Sequence, residues 1–183
     1  YAFAKGAQPM IRRMLAAAQL KSSLYEEVEA DKSATLQAML VVILAALASG
    51  IAVLLGLPTK EAGEGIGIVS VVLGVVVALV GWATLALVAY LVGTKLFPTP
   101  DTRADWGELA RTLGFAQSAG VLRIFGLLPV IGLFIYLAAS IWTLVATVIA
   151  IRQALDYTST GRAVLVTIVS YIPTGLIMGI LFA

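Results

Sequence analysis

Glu26, Glu27, Glu29 and Asp31 place four carboxylates within six consecutive residues. Three kinds of chemistry are open to them. The first is structural. Acids sit well on the solvated face of a surface helix, and Asp31 with Ser33 would cap the helix that follows, where the macrodipole favours negative charge. The second is recognition. Tyr25, Glu26, Glu27 and Glu29, with Asp105 and Glu108 further along, would form a docking surface for a cytoplasmic protein. The third is a divalent-cation site, in which Glu26 and Glu29 are joined by Asp101, Asp105 or Glu108, because hard cations take oxygen ligands. No recognised loop motif sets that spacing, so no metal is expected.

Gln117, Ser118 and Arg123 are polar groups inside an otherwise apolar stretch. Ionisable residues in hydrocarbon are functional candidates by default. Arg123 lies six residues before Pro129, so its side chain is expected to snorkel to the outer interface as an anchor. The alternative is an internal hydrogen bond, or a polar route for a solute through a small oligomeric transporter or channel, lined by Gln117, Ser118 and Arg123.

Catalytic patterns are scarce. The chain has no histidine and no cysteine, which removes Ser-His-Asp and Cys-His nucleophiles, disulfides and the common zinc ligands. No Ser-x-x-Lys sequence occurs. The run "GEGIG" at Gly63–Gly67 follows no strand, so it is not a nucleotide loop. Neither an enzyme nor a cofactor is expected.

The elements that must carry these residues are set by composition. The 183 residues are 61% hydrophobic and 12% charged, with a mean hydropathy of +1.03. Soluble domains are near half apolar and about a quarter charged, so the chain is expected in a membrane. A formal charge of +2 is too small and scattered to suggest nucleic acid. Tyr1–Pro9, lying just before Met10, is expected to be an expression scar, and no cleavable signal precedes the first apolar run.

A spanning helix needs about 20 apolar residues. Five segments qualify as spans: 34–57, 66–96, 112–128, 133–151 and 163–182. The third is the shortest and most polar. Helices are expected throughout, because the backbone finds no water partner in lipid. Before them, Met10 to Val28 carries an apolar arc of Ile11, Met14, Leu15, Ala18, Tyr25 and Val28. Residues 10–33 are therefore expected to be an amphipathic helix lying on the cytoplasmic interface. The fold class is all-α: five transmembrane helices, at 34–183, preceded by that interfacial helix.

Five spans put Arg12, Arg13, Lys21, Lys32, Lys95, Arg103, Arg111, Arg152 and Arg162 on one side. Only Lys60 and Arg123 fall toward the other. The positive-inside rule then places the N-terminus in the cytoplasm and the C-terminus outside. Gly67, Gly74 and Gly81 recur every seven residues, and Gly175 with Gly179 forms a GxxxG. These are expected to mark close helix packing, within the chain or between copies in a homo-oligomer.

Three stretches carry a resemblance: "LYEEVEAD", "DWGELARTLGFAQSAGVLRIFGLLPVIG" and "IWTLVATVIAIRQALDYTSTGRA". Together they resemble the Yip-domain family, small five-span proteins named for interaction with Ypt/Rab GTPases. The resemblance runs from about Leu20 to Phe182. It implies a cytoplasmic N-terminus and an all-α five-span domain, and it brings no catalytic residues. The chain looks like the compact prokaryotic members, lacking the long hydrophilic N-terminal region of eukaryotic ones, so GTPase recruitment does not carry over. The expected function is that of a non-enzymatic adaptor or membrane organiser in the bacterial inner membrane. Its expected partners are membrane lipids, a cytoplasmic protein and further copies of itself.

Overall fold

The computed structural model describes residues 9–55 and 68–181, and every regular element among them is helical. Helices α1 (Met10–Ala18) and α2 (Ser22–Ala30) precede α3 (Ala34–Leu55) and α4 (Ile68–Leu91). A π-helical turn at Val92–Leu96 ends α4. Then come α5 (Trp106–Ala116), a 3₁₀ helix at Gln117–Leu127, α6 (Gly132–Ala154) and α7 (Thr160–Leu181). Four helices are long and apolar enough to cross a membrane: α3, α4 with its π turn, α6 and α7.

Two expectations need correction. The single helix expected over residues 10–33 is two helices. The chain turns at Leu20, where φ is +58°, and this turns α2 inward, so that Tyr25 and Val28 are fully buried. The continuous helix expected over 112–128 does not form either. Its first part belongs to α5, whose residues Leu109 to Ala116 are all buried. The rest winds as eleven residues of 3₁₀ helix, where runs beyond about four residues are uncommon. Helices long and apolar enough to cross a membrane by themselves therefore number four among the described residues, not five.

The reason for the 3₁₀ winding lies in what it packs against. A Cβ built on Gly114 would stand 2.7 Å from the Cβ of Ala38, one on Gly120 3.2 Å from that of Ala45, and one on Gly126 3.3 Å from that of Ala52. The two segments run side by side in the same direction. From Ala38 to Ala52 an α-helix rises about 21 Å, at ~1.5 Å per residue. Gly114 to Gly126 covers the same length with two residues fewer, which needs about 1.75 Å per residue, between the α and 3₁₀ rises. Three glycines spaced by six thus meet three alanines spaced by seven, and backbone lies against methyl groups.

The chain ends of the helices gather at two poles. At one, Gln153 donates to Glu26, Thr102 to the carbonyl of Leu155, and Arg162 to the carbonyl of Pro98. This basic pole collects the start of α3, the end of α4, the start of α7 and both short helices. At the other pole Gly126 and Gly132 pack so closely that a Cβ on Gly132 would overlap the Gly126 carbonyl. That turn reverses the chain into α6, with Val130 at φ +67°.

Six hydroxyls within the spans are paired locally, while that of Ser170 is buried with no partner among the described residues. Ser49, Ser140, Thr143, Thr147, Thr167 and Thr174 each donate to the carbonyl four residues back. In hydrocarbon this removes the cost of a bare hydroxyl. All three tryptophans tie elements together. Trp82 donates to the Ala110 carbonyl, Trp106 to that of Ala83 and Trp142 to that of Ala18.

Candidate functional site

At the basic pole the acids are largely engaged within the protein. Arg13 is buried, 3% exposed, and reaches Glu27 at 2.9 Å and Asp31 at 2.7 Å. It also donates to Gln37 at the start of α3. One guanidinium therefore joins α1, α2 and α3. Burial pulls its pKa down, but the bonds to Asp31 and Glu27 win and raise it. Asp31 accepts from the Ser33 backbone and hydroxyl as well as from Arg13. These bonds, the Ser33 hydroxyl first, hold its carboxyl below the usual range.

A second buried arginine, Arg111 on α5, donates to the carbonyls of Val28 and Glu29. These are orphan acceptors of the last turn of α2, where a cation is favoured. Glu29 itself is half-buried. Burial first, then Asp156 and Glu108, push its carboxyl up to about 7, against the pull of Arg111.

The docking residues expected from sequence separate here. Tyr25 is fully buried and its hydroxyl has no partner among the described residues, so it cannot touch a docked protein, and burial raises its pKa. Glu27 is held by Arg13. Asp105 and Glu108 form a reciprocal capping box at the start of α5. Glu26 is exposed and accepts from Gln153 at 3.0 Å. The cation site is corrected too. No three acids among the described residues converge as metal ligands, so Glu26, Glu29, Asp101 and Asp105 form no such group.

The second site lies inside the bundle. Arg123 does not reach for the outer interface. Its Nε donates to Ser140 on α6 at 3.2 Å, and its Nη1 lies 3.4 Å from the Ser49 hydroxyl on α3. The guanidinium also sits 6.0 Å from the Tyr136 ring centre. Both serines spend their own protons on backbone carbonyls and so present lone pairs to the arginine. The 3₁₀ winding aligns residues three apart, which brings Gln117 and Arg123 to one side. Both line a cavity of about 630 Å³ between α3, α4 and α7. Ser118 is buried away from it and donates to the Phe115 carbonyl at 2.6 Å.

The glycines expected at helix crossings lie elsewhere. Nothing stands within 4 Å of a Cβ built on Gly74, Gly175 or Gly179, and Gly81 meets only the tip of Met178 at 3.5 Å. Gly67 falls outside the described residues. The close approaches between elements include Gly114, Gly120, Gly126 and Gly132, with Gly50 against Val71 and Gly93 against Leu155. The two repeats, glycines every six residues and alanines every seven, stand in the sequence, but nothing there pairs one with the other. Burial of Arg13 and Arg111 had no comparable signal, because both stand in charged stretches.

With this geometry in view, the family model described as the Yip1 domain matches residues 21–181. No curated protein and no solved structure gives a significant match.

Proposed function

The chain belongs to the Yip1 domain family, and on that premise we propose that it is a five-pass membrane protein of the bacterial inner membrane that acts by binding rather than catalysis. It is an adaptor or membrane organiser whose contact surface is its basic, cytoplasmic pole. The construction of that pole supports this reading. The segments meeting there are pinned to one another by Arg13, Arg111, Gln153 and Arg162. A surface fixed in advance loses little entropy on binding. Lys32, Asp101 and Arg103 stand exposed on it, and none has a side-chain bond to a described residue. These three replace Tyr25, Glu27, Asp105 and Glu108 as the groups a partner would meet.

The fifth pass is the paired α5 and 3₁₀ segment. Its parallel run along α3, from Ala38 to Ala52, supports a crossing in the same direction as α3. Crossing then alternates through all five segments, and the nine cations of the basic pole share the cytoplasmic side.

Charge reversal tests the binding role. Lys32→Glu and Asp101→Lys should leave the melting temperature in mild detergent unchanged and remove whatever protein co-purifies with the native chain. The cavity beside Arg123 and Gln117 supports a second reading, solute passage. Proteoliposomes decide between them. The adaptor reading expects no flux across a panel of ions and small solutes. Flux that Arg123→Leu abolishes in a folded protein would overturn it.

A further inference from the structure

The cavity holds a charge that no described carboxylate neutralises. Among the described residues, Arg123 is the only ionisable cation on its wall. No aspartate or glutamate occurs in α3, α4, the 3₁₀ segment, α6 or α7. No described carboxylate pairs with it. Its partners are two neutral hydroxyls and a ring face. A guanidinium has five N–H donors, and Nη2 makes no hydrogen bond to a described residue. An unpaired charge at this depth costs several kcal/mol, and an incoming anion would offset it.

Most of the rest of the wall is apolar. Val42, Ala46, Val53, Val71 and Ala78 dominate it. Gly74 and Tyr171, on α4 and α7, line the cavity and are also exposed, so the cavity opens to the outside of the bundle. The volume, about 630 Å³, lies within the range of small-molecule sites and suits one acyl chain rather than two.

We propose that this cavity binds a single-chain anionic amphiphile, a long-chain fatty-acid carboxylate, which enters between α4 and α7, sets its head on Arg123 and lays its tail along the apolar wall. A carboxylate would accept from the unbonded Nη2 in a charge-assisted hydrogen bond. Ser140 and Ser49 hold the fork through Nε and Nη1. Gln117, on the same wall, adds an uncharged polar group at the head end. The site stands whether or not the basic pole docks a protein.

The experiment compares heads on one tail. The full chain, purified and delipidated in mild detergent, is titrated with hexadecanoate, hexadecanol and hexadecyltrimethylammonium, and adducts are counted by native mass spectrometry alongside thermal melting. Hexadecanoate should bind at least about tenfold more tightly than hexadecanol, the ratio expected when a hydrogen bond to a charged group is gained. The ammonium should not bind. Arg123→Gln should erase the acid preference. Gly74→Leu, which fills empty space in the wall, should weaken acid and alcohol alike while the protein stays folded. Equal binding of acid and alcohol by the native chain would overturn the proposal. So would a full acid preference in Arg123→Gln, or undiminished binding in Gly74→Leu. The native comparison and Gly74→Leu remain decisive if Arg123→Gln fails to fold.

Discussion

Arg13, Arg111 and Arg123 are three arginines with three different compensations. Arg13 is paired with carboxylates, Arg111 with the carbonyl end of a helix, and Arg123 with two hydroxyls and a ring face. The four acids before the first span therefore have a structural answer in part. Glu27 and Asp31 balance Arg13, which fastens α1 and α2 onto the start of α3. Glu29 is the strained member. Its carboxyl titrates near 7 in the folded protein against a reference of 4.5, so the folded state holds its proton more firmly than the unfolded state does. Stability contributed by this group is full below pH 4.5 and is lost as pH rises toward 7. Glu29→Gln keeps the shape without the charge. The variant should melt higher than the native chain above pH 7, and the two curves should converge at acid pH. Parallel curves across the whole range would exclude Glu29 as the titrating group.

At the scale of elements, the pairing of α3 with the α5 and 3₁₀ segment decides where small residues matter. A methyl group added at Gly114 would press on the Ala38 side chain at 2.7 Å and its backbone carbonyl at 3.0 Å. Gly114→Ala should therefore cost about 1–3 kcal/mol by overpacking. Gly74 has nothing within 4 Å, and alanine is the better helix former by about 0.5–1 kcal/mol. Gly74→Ala should be neutral or stabilising. Opposite signs in detergent melting curves are the expected outcome, and a loss at Gly74 equal to that at Gly114 would contradict this packing. Heptad spacing alone pointed to Gly67, Gly74 and Gly81, because periodicity marks a face without saying what covers it.

For the whole molecule, the third polar segment sets the topology. If it crosses, Asp101 and Val130 lie on opposite sides of the membrane; if it only dips in and returns, they share a side. Both are exposed, Val130 at 91%, and the chain has no native cysteine. Asp101→Cys should react with an impermeant maleimide only from the cytoplasm, and Val130→Cys only from outside. Labelling of both from one side would reduce the passes to four.

Composition and run length by themselves determined that the chain is an all-helical membrane protein. They also fixed the ends of α3, α6 and α7 to within a few residues, because twenty apolar residues in lipid have no alternative to a helix. The order of polar and apolar segments carried the family. The tertiary structure decided the rest. Whether an arginine faces water or is buried depends on what folds over it, as α2 does over Arg13 and Arg111. The third segment winds as 3₁₀ helix because glycines spaced by six must keep step with alanines spaced by seven on a neighbour, and a register of that kind exists only once the two lie side by side. Arg123 turned inward for the same reason: two serines more than fifteen residues away in sequence, on α3 and α6, were brought to it by packing.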